Sequence, residues 1–235
     1  MAGLSACLAG GKVALSNAAM NSYRANYLLR IFPGFLLLLL LSGCHTPPVQ
    51  TASRPLAPGI DVYLVPLDDF SFDYTDFLAS SLSKEMGLRI KPALQMGTAG
   101  LTPFPGTSQY SAAAIMKMAV PVTADLPYRR TNTAYIVLTS RDINMDSHAL
   151  HFVFTMHNSG VRIAVVSAAR LFLSQAGGLA DRETVNRRIT KMVKRSIGDV
   201  FYGYQRSADI HDLMYSPIMS LEDVDTIGND FLKRK

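Results

Sequence analysis

The sequence predicts an α/β domain, with α+β as the alternative, built on a twisted mixed sheet. Three observations predict it. Runs rich in Val, Ile, Leu and Tyr recur at 59–67, 88–94, 134–139, 151–156 and 161–167, a composition that suits buried strands. Between and after them lie segments whose apolar residues repeat at helical spacing. The order is strand, helix, strand, helix, several strands, then two helices, which suits helices packed on a sheet.

Each element has its own signal. Residues 59–67 alternate apolar and β-branched side chains and read as the first strand. Phe77, Leu78, Leu82 and Met86 recur at helical spacing, and Gly87 supplies a C-terminal stop. The run 88–94 reads as a second strand. Three glycines and two prolines make 97–107 a loop. Ser108 is placed to cap a helix running to about Val120, with Tyr110, Ala114, Ile115 and Met118 on one side and Pro121 as its end. The compact apolar run 134–139 is the candidate central strand. The runs 151–156 and 161–167 flank the turn His157-Asn158-Ser159-Gly160, the spacing of a hairpin or of adjacent strands. Asp181 caps a long helix whose apolar stripe is Val185, Ile189, Met192, Val193, Ile197, Val200, Phe201 and Tyr204. Arg187, Arg188, Lys191 and Lys194 occupy its other face. Ser220 and Asp223 are spaced to cap a last helix.

The N-terminal residues carry a different message. Residues 31–41 form an apolar run preceded by Arg24 and Arg30 and followed by Ser42, Gly43 and Cys44. That run is shorter than the roughly 20 residues a membrane span needs, and its flanks are those of a secretory signal. The tetrapeptide Leu41-Ser42-Gly43-Cys44 resembles a bacterial lipobox. The resemblance implies cleavage after residue 43, with Cys44 diacylated as the first mature residue, and two or three acyl chains anchor stably. Met20 reads as a more natural start than Met1. His45 follows the cysteine where an Asp would retain the protein at the inner membrane, so the expected location is the outer membrane of a diderm cell, facing the periplasm. Residues 44–58 read as a lipidated flexible tether, and 59–235 as one folded domain.

Composition removes several function classes. Lys12, Arg24 and Arg30 are the only basic residues before Cys44, and none of the 18 acidic residues precedes it, so the 20 remaining basic residues leave a mature charge of +2. Nucleic-acid binding is not suggested. Cys7 is the only other cysteine, so the mature chain has neither a disulfide nor a thiolate metal site. No Gly-x-Ser-x-Gly elbow surrounds Ser140 or Ser167, and 97–100 lacks the lysine of a phosphate loop.

Four segments resemble the archaemetzincin family of zinc metallopeptidases, across about residues 60 to 232. Val62-Tyr-Leu-Val-Pro-Leu67 resembles the opening strand, and Gln109-Tyr110-Ser-Ala112 a Gln-Tyr helix start. Val137–Asp142, Leu150–Phe154 and Arg162–Ser167 resemble the central strands. Leu213-Met214-Tyr-Ser216 and Leu221–Asp225 resemble the methionine turn and the helix after it. The resemblance implies a metzincin-like domain with a long active-site helix, a Met-turn at Met214 and a C-terminal helix. In such a family two histidines four apart on the helix bind zinc, the glutamate between them is the general base, and a third histidine follows.

This sequence departs from that pattern. The best register puts Arg195 and Asp199 at the first two ligand positions, Ser196 at the general-base position and Gln205 at the third ligand. Gly198 anchors that register, and Met214 then falls one residue late. No histidine occurs from Asn158 to Ile210 and no glutamate from Thr184 to Leu221. The family's additional cysteine-based zinc site is missing as well. Arg195 places a fixed positive charge where a dication would sit; paired with Asp199 on the helix surface it contributes about 0.2–0.5 kcal/mol. No cofactor is expected. The implied protein is a non-catalytic relative, anchored to a membrane, whose cleft binds a peptide or an envelope protein, with the edge strand 151–156 available for pairing.

Alternatives remain. A domain acting through another surface, with no cleft function, is one. Another is an active zinc peptidase with an atypical site built from His211, Asp199 and Asp212. His148, His151 and His157 read as exposed strand and turn histidines, since six residues of strand separate the last two by roughly 20 Å. Met192, Met214 and Met219 read as core or turn residues rather than sulfur ligands.

Overall fold

Strand β1 (Ile60–Pro66) is buried along nearly its whole length, as a strand is when helices cover both faces of a parallel sheet. A computed structural model describes residues 59–147 and 150–232. The signal-like segment, Cys44, the tether and His148 lie outside the described residues. No helix among the described residues is long and apolar enough to cross a membrane.

The chain continues through α1 (Phe72–Met86), β2 (Ile90–Pro92), β3 (Tyr110–Ser111), α2 (Ala112–Ala124), β4 (Arg129–Thr139), β5 (Ile143–Asn144), β6 (Thr155–Asn158), β7 (Ile163–Ser167), α3 (Arg182–Ile197), a π-helical turn at Gly198–Tyr202, and α4 (Leu221–Thr226). Five strands form a mixed sheet in the order β2-β1-β4-β7-β6. The β1, β2, β4 and β7 pairings are parallel, and β6 runs antiparallel to β7 at the edge. The α/β reading is the observed one.

Strand alternation divides the core into two layers. Val62, Leu64, Ile136, Leu138 and Val166 face α1 and α3, packing on Leu78, Leu82, Ile189, Met192 and Val193. Tyr63, Val65, Tyr135, Val137 and Val165 face α2, packing on Ile115, Met116 and Ala119. Helix α1 begins where the Ser71 side chain accepts from Tyr74 N and ends at Gly87, whose φ of +67° suits a residue without Cβ. Phe77, expected on its inner side, is exposed, and Thr75, Leu78, Ala79 and Leu82 make the buried face.

Three expectations need correction. Helix α2 is capped by Ser111, not Ser108. Tyr110 lies before it in β3, where its amide donates to Asp142 O at 2.9 Å. Pro121 does not end the helix, which runs one turn further to Ala124; Thr123 Oγ1 donates to Ala119 O at 2.8 Å and finishes that turn. The edge strand is Thr155–Asn158, not 151–156. Residues 150–151 are drawn off the sheet by side-chain amides: Asn144 Nδ2 donates to Leu150 O at 2.9 Å and Gln109 Nε2 to His151 O at 2.7 Å.

The polar face of α3 is the largest difference. Arg188, Lys191 and Lys194 are buried because the C-terminal segment folds across them. Arg188 grips Asp225 through Nε and Nη2 at 2.7 and 2.6 Å. Lys191 Nζ donates to the carbonyls of Val224, Asp225 and Ile227 at 3.1, 3.0 and 2.7 Å. Lys194 Nζ donates to Asp230 Oδ1 at 2.8 Å and pairs with Glu85 on α1. Buried charges must be partnered, and these cations hold down α4 and the segment after it. The Ser220–Asp223 capping box starts α4 as expected.

Candidate functional site

The end of α3 and the turn after it build one wall and the floor of a cleft of about 270 Å³. It is lined by Met192, Arg195 and Arg206, by the segment His151 to Phe154, and by Pro217, Ile218 and Met219. The Asp181 side chain caps α3 by accepting from Thr184 N at 2.9 Å, and the apolar stripe docks on the sheet. The faces of the last helical turns are thereby set.

At Gly198 the α-helix gives way to the π turn. A π turn inserts one residue relative to α-helical spacing. Gly203 closes it in the left-handed conformation, φ +69°, a backbone that favours glycine. At Gly198 a Cβ would stand 2.8 Å from Met214 Sδ and 2.8 Å from the Phe231 ring, so those side chains would have to shift to admit one. Met214 is fully buried under the helix end, and Asp212 Oδ1 holds its turn by accepting from Met214 N at 2.9 Å.

Gln205 is exposed. Its neighbour Arg206 reaches back, placing Nη2 3.1 Å from Asp199 Oδ2. His157, on the edge strand, completes the group from the opposite side, its Nδ1 3.7 Å from the same carboxylate oxygen and 3.4 Å from Arg206 Nη2. The sequence reading missed both His157 and Arg206.

Arg195 and Asp199 do not form a surface pair. Both are buried, at 4% and 7% exposure. Arg195 Nη1 donates to Leu213 O at 2.8 Å, while Asp199 turns to Arg206 and His157. Burial pushes Arg195 down to about 10, assisted by the charge of Arg206 and opposed by Asp199 and Asp212; it remains a cation at neutral pH. Burial also raises the Asp199 carboxyl, and the charges of Arg206, His157 and Arg195 oppose that shift. Ser196 donates its hydroxyl to Met192 O at 2.8 Å inside its own helix, so it presents no base to the cleft. His211 is exposed and Asp212 buried in the turn.

No protein-family model matches the chain, and no curated protein matches it significantly. Solved structures do. Archaemetzincin from Archaeoglobus fulgidus, complexed with malonate, matches 73% of this chain and 95% of its own, with TM-score 0.58 and 23% identity. This protein has the archaemetzincin fold. A zinc-dependent peptidase from Methanocorpusculum labreanum matches 73% of this chain and 95% of its own, with TM-score 0.60 and 20% identity. Archaemetzincin from Methanopyrus kandleri matches 76% and 92%, with TM-score 0.55 and 23% identity.

An archaemetzincin-like fold raises the question of zinc, and the donor set answers it. Zinc takes imidazole, thiolate or carboxylate donors, four in a tetrahedron at structural sites and three plus water at catalytic ones. Here the groups at the end of α3 are the guanidiniums of Arg195 and Arg206 and the Asp199 carboxylate, which already faces a cation at 3.1 Å. Among the described residues no three of His, Cys, Asp and Glu converge as a metal site, His211 with Asp199 and Asp212 included. The residues present do not fit the ion.

Proposed function

We propose that this protein is a non-catalytic, lipid-anchored envelope protein that uses an archaemetzincin-like domain for binding rather than hydrolysis. The observation that carries the reading is the Arg206–Asp199–His157 cluster at the end of α3. It puts positive charge and a satisfied carboxylate where a peptidase of this fold needs an ion, and the buried Ser196 hydroxyl bonds its own helix where a general base is needed. In this reading the end of α3 supplies no base of its own: Arg195 and Arg206 are cations, and the Ser196 hydroxyl is committed to Met192 O. The cleft keeps its shape, since its floor is held by Leu213, Asp199 and the Met214 turn. In this reading Cys44 carries the acyl anchor and residues 44–58 hold the domain off the membrane.

The test is elemental analysis of the purified, tag-free mature protein together with a peptide-hydrolysis assay. The expected result is zinc far below one ion per chain and hydrolysis at background, indifferent to a chelator. Stoichiometric zinc, with hydrolysis that a chelator removes, overturns the reading. The anchor is tested separately: Cys44→Ser should move the protein from the membrane to the soluble fraction and abolish incorporation of labelled palmitate.

A further inference from the structure

The floor of the cleft holds a cation with more donors than partners. A guanidinium carries five N–H groups. Among the described residues Arg195 gives one hydrogen bond, from Nη1 to Leu213 O at 2.8 Å. It has no ion pair within the described residues, yet it is 4% exposed and that surface lines the cleft. A buried guanidinium held by a single carbonyl is a receptor for an acceptor that enters from the cleft. Carboxylate matches it best, because two oxygens meet two parallel N–H groups.

The walls narrow the ligand further. Beside the cation stand Phe152 and Phe154, in edge contact with centroids 5.1 Å apart, and across from them Ile218 and Met219. A bare anion gains nothing from such walls; an apolar side chain next to a carboxylate does. The volume of about 270 Å³ is at the small end for ligand pockets, which run from roughly 300 to 1,000 Å³. A second hollow of about 500 Å³ shares Phe152, Phe154 and Met219 with the cleft and leads to Arg170. A ligand that ends at Arg195 can therefore continue outward over the shared aromatic wall.

We propose that the cleft binds the C-terminal carboxylate of an extended peptide whose last residue is apolar, with Arg195 as the carboxylate receptor and Phe152, Phe154 and Ile218 receiving the side chain. Arg206 stays with Asp199 and shapes the floor. The inference rests on the binding role proposed above and names its ligand class.

The experiment measures binding of three labelled peptides to the mature protein in detergent micelles. They are Ala-Ala-Ala-Leu with a free carboxylate, the same peptide as its C-terminal amide, and an amidated peptide with an internal Asp. The free acid should bind at least about tenfold more tightly than either amide, since the charge-assisted pair is lost in one and misplaced in the other. Arg195→Lys, folded as judged by circular dichroism, should lose most of that preference. Equal binding of acid and amide, equal binding of the internal-Asp peptide, or no saturable binding of the free acid each overturns the proposal without any variant. Repeating the measurement with chelator and with added zinc separates the two claims. Absent binding together with absent zinc uptake sinks the carboxylate receptor alone, whereas acid binding that appears only with zinc sinks the non-catalytic reading itself.

Discussion

Two buried charged side chains, Arg195 and Asp199, set the character of the helix end. Arg195 is a buried cation and Asp199 a buried anion turned away from it. Removing one partner from a fully buried pair costs about 3–5 kcal/mol. Arg206 and His157 each keep 35% of their side-chain surface exposed and can rehydrate, so Asp199→Asn should destabilise by a smaller amount, about 2 kcal/mol, read from urea unfolding. Asp225 tests the other buried cluster. Arg188 holds its carboxyl below the usual 3.8, against the effect of burial. A lowered folded-state value means the unfolded chain binds the proton first, so this stability is present above about pH 4 and is lost as the pH falls through the lower folded value. Asp225→Asn should therefore be less stable than wild type at neutral pH, and the gap should close on acidification below pH 4. A gap that persists unchanged would deny the ion pair. The residues of this scale were legible only as identities. The sequence displays the arginine at 195, but His157 meets Asp199 across 42 residues of chain and Arg206 folds back to it around the π turn, which no periodic pattern encodes.

At the scale of elements, α3 and its π turn carry both the successes and the errors of sequence reading. The apolar stripe, the Asp181 cap and the Ser220–Asp223 capping box were readable because each is a local hydrogen-bond or periodicity rule. The basic face was not, because its burial depends on the C-terminal segment returning over it with Asp225, Asp230 and four backbone carbonyls. Pro121 misled in the same way: a helix held against the sheet tolerates a missing donor that would end it in isolation. After the π turn Arg206, not Gln205, comes to Asp199, and this can be tested by building a site rather than breaking one. Arg195→His and Asp199→His combined with Arg206→His should gain measurable zinc binding. The same pair combined with Gln205→His should not, because Gln205 points to solvent. Tighter zinc binding by the Gln205 version would contradict the placement.

For the whole molecule, the sheet order and the two-layer core reproduce the archaemetzincin fold at 20–23% identity. That agreement reflects patterning: strands buried on both faces and helices of matching length specify a scaffold through many different side chains. The chemistry of any such scaffold depends on far fewer positions than its fold does. The fold was therefore legible from alternation and order, whereas the Arg206–Asp199–His157 cluster became visible only in three dimensions. A cleft closed by protein ion pairs also has a thermodynamic signature. A site that binds zinc in the folded state alone gains about 2.7 kcal/mol at one hundred times its dissociation constant, which for a domain of this size raises the melting temperature by on the order of 5–10 °C. The most direct measurement is thermal unfolding of the chelator-treated protein with and without added zinc. The salt-bridged site requires the two curves to superimpose; a rise in melting temperature that saturates at one equivalent of zinc would contradict it.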